Sequence, residues 1–166
     1  MPTICRLIQL SSEDASSLVA NRGSLPERVE SASLHSDVYR YWHAIEYLLA
    51  RHRPGGAAAG WLTMGTTVST ATAEIPGSRV LSAAQIREID ADMRDVYPEH
   101  LAEHYDSSAL DAAGIYPATW RAWEEDFDPL GQVLEHYFFL QQFVARCAAA
   151  NAAALLHFDV LAEGEV

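Results

Sequence analysis

Two short apolar, β-leaning runs stand at the ends of this chain, and that placement constrains the fold more than any other feature. They are residues 3–10 (Thr-Ile-Cys-Arg-Leu-Ile-Gln-Leu) and 154–160 (Ala-Leu-Leu-His-Phe-Asp-Val). Between them, the strongest apolar residues recur at helical steps. Strands at both termini with helices in the middle predict an α+β fold: one helix-rich domain over 1–166, with a small sheet that includes the N- and C-terminal strands. Chain size agrees. At 18.3 kDa, area scaling predicts burial of about 69% of the surface on folding, enough for one self-sufficient domain.

The helical signals are local and physical. Ser11 offers an N-cap with Asp14 three residues on, and Ala15, Leu18 and Val19 follow on one face. Residues 21–36, with Asn21, Gly23, Pro26 and several Ser, read as a loop. Over 37–51, Val38, Tyr41, Trp42, Ile45, Leu48 and Leu49 make the clearest amphipathic stripe, and Arg53-Pro54-Gly55-Gly56 stops it. Residues 57–78, rich in Ala, Gly, Thr and Ser, read as a long irregular stretch with room for a short strand around Trp61-Leu62-Thr63. Arg79-Val80-Leu81 reads as a brief strand. Ser82 with Gln85 forms a capping box before Ile86, Ile89, Met93 and Val96. Pro98 opens a short helix through Tyr105. Asp106 or Ser107 caps another that Gly114 ends. Asp128-Pro129 then starts a helix of about 20 residues, a normal globular length.

Charge removes several functions from consideration. There are 11 basic and 23 acidic residues, a net charge of −12. All the bases are Arg. Such a surface is wrong for nucleic-acid phosphates, whereas it suits a basic protein partner. No apolar run nears the roughly 20 residues of a spanning helix. Residues 1–6 have no signal-peptide pattern, so a cytoplasmic location without membrane contact is expected. Cys5 and Cys147 are far apart in sequence and read as free buried thiols.

Four constellations could carry chemistry. His43, with Glu46 one turn on, could form an acid–base pair in a cleft beside Trp42 and Tyr116. The ordinary reading is that both are rim residues of a core-facing helix. Tyr116, Trp120 and Trp123 cluster around Pro117, next to Glu124, Glu125 and Asp126. Such a cluster is either core or an interface anchor beside an acidic face. His100-Leu101-Ala102-Glu103-His104 spells H-x-x-E-H, in which two His four apart could face one metal. Without a third ligand, the ordinary reading is a solvent face. The acids Glu88, Asp90, Asp92 and Asp95 read as a solvated helix face. No G-x-G-x-x-G, P-loop or G-x-S-x-G is present. The sequence therefore assigns no catalytic residue, no metal and no cofactor.

Trp42-His43-Ala44-Ile45-Glu46-Tyr47-Leu48-Leu49, then Arg79-Val80-Leu81-Ser82, then Ile115-Tyr116-Pro117 occur in an order that resembles the YfbM-like family of uncharacterised bacterial proteins, over roughly residues 3–160. The resemblance implies an α+β fold and no established activity. For some relatives it carries an association with immunity against bacterial toxins. Two departures stand out. The His usual four residues after the Trp is Glu46 here, and the usual L-T-G is Leu49-Ala50-Arg51. An enzymatic role for that His could not be shared by this chain.

The expectation is a non-enzymatic protein-binding domain, immunity-like toward a toxin, with Trp120, Trp123, Glu124 and Glu125 facing a basic partner. The alternative is a small-molecule-binding domain or enzyme using Trp42, His43, Glu46 and Tyr116.

Overall fold

The terminal strands β1 (Thr3–Leu10) and β5 (Ala153–Val160) lie side by side, antiparallel and in continuous register from Thr3 opposite Val160 to Leu10 opposite Ala153. Their sequence separation is the largest the chain offers, so sheet formation closes the fold. The computed structural model describes residues 3–30, 35–70 and 76–160. The sheet order is β2-β1-β5-β4-β3, with β2 at His35–Tyr39, β3 at Thr66–Thr67 and β4 at Arg79–Leu81. Every pairing is antiparallel. Gly65, at φ +83°, leads into β3 where a Cβ would collide with the Val80 carbonyl.

Alternation along the central strands explains why both are almost wholly apolar. Cys5 and Leu7 of β1, with Ala154, Leu156 and Phe158 of β5, face the main core. Ile8 and Leu10, with Ala153 and Leu155, face the opposite side. That second side is covered by α1 (Ser12–Ala20) through Ala15 and Leu18, and by Leu25 and Val29 of α2 (Leu25–Glu30). On the first side sit α3 (Trp42–His52), α4 (Ala83–Met93), α5 (Pro98–Ala102), α6 (Ser107–Ala112), α7 (Trp120–Asp126) and α8 (Pro129–Ala149).

The caps read from sequence hold. Ser11 Oγ accepts from Asp14 N at 3.0 Å, and Ser82 and Gln85 form the reciprocal box. Asp106 accepts from Ala109 N. Asp128 accepts from Gly131 N with Pro129 in the first turn, opening a helix of 21 residues. Both cysteines are free and buried.

Four expectations change. The segment 21–36 is not a plain loop: it holds a 3₁₀ turn at Arg22–Ser24, α2 and the start of β2, while residues 31–34 lie outside the described residues. The stripe at 37–51 divides, because Asp37–Tyr39 belong to β2. Tyr39 turns the chain at φ 46°, and the helix starts only at Trp42. Trp61-Leu62-Thr63 is a turn after the 3₁₀ segment Ala57–Gly60, and the strand of this stretch is Thr66–Thr67. Residues 71–75 of the same stretch lie outside the described residues. The short helix from Pro98 ends at Ala102, before Tyr105.

Candidate functional site

Helix α3 and the Ile115–Pro117 turn bring Trp42, His43 and Tyr116 together. Trp42 stacks with both: its ring lies 5.2 Å from His43 and 5.4 Å from Tyr116, at 10° and 15° from parallel. The Trp42 Nε1–H donates to the Thr3 carbonyl at 3.3 Å, and the Thr3 N–H donates to Tyr116 Oη at 2.7 Å. β2 pairs with β1 no nearer the N-terminus than Cys5. The two rings therefore satisfy Thr3 beyond the end of that neighbour strand. His43 Nδ1 accepts from Tyr116 N–H at 3.0 Å, which fixes the neutral ring with its proton on Nε2. Burial lowers the His43 pKa.

Glu46 faces elsewhere. Its Oε1 accepts from Leu62 N–H at 3.3 Å, tying α3 to the turn after Ala57–Gly60. Burial pushes its pKa up to about 7, against a smaller lowering by the Leu62 hydrogen bond. No hydrogen bond joins His43 to Glu46 among the described residues. The expected pair is thus two separate anchors, and Trp42, His43 and Tyr116 form a clamp on β1. Chemically the clamp positions a strand: Trp42 Nε1, Tyr116 Oη, His43 Nδ1 and both backbone polar groups of Thr3 each have an intramolecular partner.

The second predicted set lies on α7. Trp120, expected at a partner surface, is 0% exposed; its Nε1–H donates to the Ile115 carbonyl at 2.8 Å. Its indole is core. Trp123 is half-buried, in edge contact with Trp120 at 5.4 Å and tilted against Phe127 at 5.3 Å. Phe127 is 41% exposed and was not singled out from sequence, although it directly follows the acidic run. Arg40 stacks over Trp123 and Tyr39, 5.2 and 4.9 Å from the ring centroids, a long-range contact with no sequence signal. Glu124, Glu125, Asp126 and Asp128 are exposed on the same edge. Glu124 accepts from Ser107 Oγ at 2.7 Å. Asp111 takes the Trp120 and Arg121 N–H groups. A shallow concavity of about 590 Å³ opens here among Asp111, Thr119, Arg121, Glu124 and Glu125.

The H-x-x-E-H pair does not converge as a helical pair. His104 lies beyond the end of α5, and His100 Nδ1 accepts from Tyr97 N–H at 3.1 Å. A third imidazole joins them instead: His52, from the last turn of α3. It stacks on His100 at 4.9 Å and 6°, and its Nδ1 is 3.3 Å from His104 Nε2. Among the described residues, no group of three or more His, Cys, Asp or Glu is arranged to hold a metal ion. Nor is any described helix long and apolar enough to cross a membrane.

The family described as "Domain of unknown function (DUF1877)" matches this chain over residues 1–157. The fold is similar to that of YfbM from Escherichia coli, a protein of unknown function. The TM-score is 0.65 at 12% identity, over 92% of this chain and 98% of that one. No curated protein matches the chain.

Proposed function

The chain belongs to the DUF1877 family, a domain of unknown function, so its role has to be argued from its own surface, and we propose a non-enzymatic protein-binding domain that takes a basic partner on the α7 edge. The observation that carries this reading is the contact between half-buried Trp123 and exposed Phe127, flanked by Glu124, Glu125 and Asp126. Trp120 and Tyr41 brace Trp123 from behind, with ring centroids 5.4 and 6.3 Å away. A braced aromatic loses little freedom when a partner covers it, which is where interface affinity concentrates. The neighbouring carboxylates, on a chain of net charge −12, would speed encounter with a positive surface. A toxin domain neutralised in the cytoplasm is a partner of this kind.

The test is capture from the native host's extract at low and high salt, with a Trp123→Ala/Phe127→Ala variant as control. Trp120 is unsuitable as a probe because its loss would damage the core. A single partner, captured less well at high salt and lost in the variant, is the expected result. Capture that ignores both salt and the variant would remove the reading.

A further inference from the structure

We propose that a second copy of this chain docks its α8 antiparallel into the groove between α4 and α8, forming a symmetric dimer. The exposed stripe of α8 is the first argument. Glu135, Phe138, Gln142, Ala145 and Ala149 are all exposed, and they alternate at steps of three and four residues, the spacing of a helix-pairing seam. The helix buries a different stripe in the core, through Val133, Tyr137, Leu140, Val144 and Cys147. The exposed stripe is therefore a second face that the fold leaves uncovered. Tyr97 and Phe138, both exposed, line the groove beside it, and the exposed Phe139 adjoins Phe138. Large apolar side chains gathered in this way mark an interaction surface.

The seam is complementary to its own image. Phe138 is the large residue at one end, and Ala145 and Ala149 are the small ones at the other. Antiparallel alignment about the Gln142–Ala145 step sets Phe138 against Ala149 of the second copy, and Gln142 against its Ala145. The twofold axis repeats each contact, as an isologous interface requires.

Charge selects the same alignment. The groove has a volume of about 800 Å³, and its charged lining is Arg87, Asp90 and Arg94 of α4. Asp90 is paired with Arg94, whereas Arg87 contacts Asn151, just past the C-terminal end of α8. Antiparallel docking brings Glu135 of the second copy to that end, beside Arg87. On a chain of net charge −12, a groove lined by two Arg and one Asp is a place where like copies can meet. From Glu135 to Ala149 the seam spans about 21 Å, a small contact, so association is weak and concentration-dependent. It uses neither Trp123 nor Phe127, and is independent of the partner proposed for the α7 edge.

Sedimentation equilibrium of the purified full chain over about 1–300 µM, near neutral pH, tests this. The mass should rise with concentration from 18.3 kDa towards twice that value. Ala145→Glu, at an exposed helical position, should leave the melting temperature of the dilute chain unchanged. It should weaken self-association about tenfold or more, because it buries an unpaired carboxylate in the seam. Glu135→Arg should weaken it about tenfold as well, and adding Arg87→Glu should restore it to within about threefold. Val19→Ser, on α1 across the sheet, should change nothing. A monomer at every concentration would overturn the proposal and leave the groove to a different protein. So would a dimer indifferent to Ala145→Glu, or a Glu135→Arg loss that Arg87→Glu fails to restore.

Discussion

Trp42 and Tyr116 lie face to face, ring centroids 5.4 Å apart and 15° from parallel, and between them they bind both backbone polar groups of Thr3. Thr3 is 3% exposed, so water is a poor substitute for either partner. Tyr116→Phe keeps the stack and removes only the acceptor for the Thr3 N–H. It should cost about 1–2 kcal/mol, the penalty for an unsatisfied buried donor. A urea midpoint identical to that of the unmodified chain would show that the hydrogen bond is dispensable.

Glu46 makes stability fall as pH rises towards neutrality. Its pKa in the folded chain is about 7 against an ordinary 4.5, so the folded state holds the proton more tightly than the unfolded state does. That contribution is fully present below about pH 4.5 and is lost as pH rises through about 7. The displacement alone would correspond to roughly 3 kcal/mol; partial solvation reduces this to about 1–2 kcal/mol. Glu46→Gln retains an acceptor for Leu62 N–H and cannot ionise. Over about pH 5–7 it should lack the decline that ionisation of Glu46 imposes on the unmodified chain. Parallel denaturation curves for both proteins would contradict the assignment.

The acid side belongs to His43. Its folded pKa is lowered, so stability is present above the unfolded value of about 6.5 and lost as pH falls through the folded one. The geometry sharpens the effect. Tyr116 N–H already donates to Nδ1, so a proton there faces a backbone donor that cannot become an acceptor. His43→Gln should weaken the acid decline while leaving the Glu46-dependent decline towards neutral pH intact. Thermal melts across pH separate the two limbs, and an unchanged acid limb would assign the loss to other groups.

The parts of the fold legible in sequence are those that local chemistry dictates. β1, β5 and α8 announce themselves by apolar runs and by the Asp128-Pro129 start. β2 does not, because His35-Ser36-Asp37-Val38-Tyr39 runs directly into the helical stripe of α3. Its identity depends on pairing with β1 and on the positive φ of Tyr39, neither of which is visible in a window of neighbours. The candidate sites show the same division. Trp42, His43 and Tyr116 come together in space, whereas Glu46, on the same helix, reaches Leu62 instead. His52 carries no local signal because it meets His104 only through the packing of α3 on α5.

Trp120 and Trp123 are the sharpest case, since three residues on one short helix separate a core side chain from a surface one. Trp120 is 0% exposed, within 6.5 Å of the Tyr41, Tyr105 and Trp123 rings, and its Nε1–H is satisfied by Ile115. Trp120→Ala should cost about 3–5 kcal/mol, as large cavities in cores do. Trp123 is half-buried, so Trp123→Ala removes edge contacts and the face on which Arg40 rests. That loss should be about 1–2 kcal/mol, leaving a folded protein in which binding can be measured. Urea denaturation of the two variants decides the matter: equal losses would mean that Trp123 is structural as well, and that the α7 edge offers a partner Phe127 without a braced second ring.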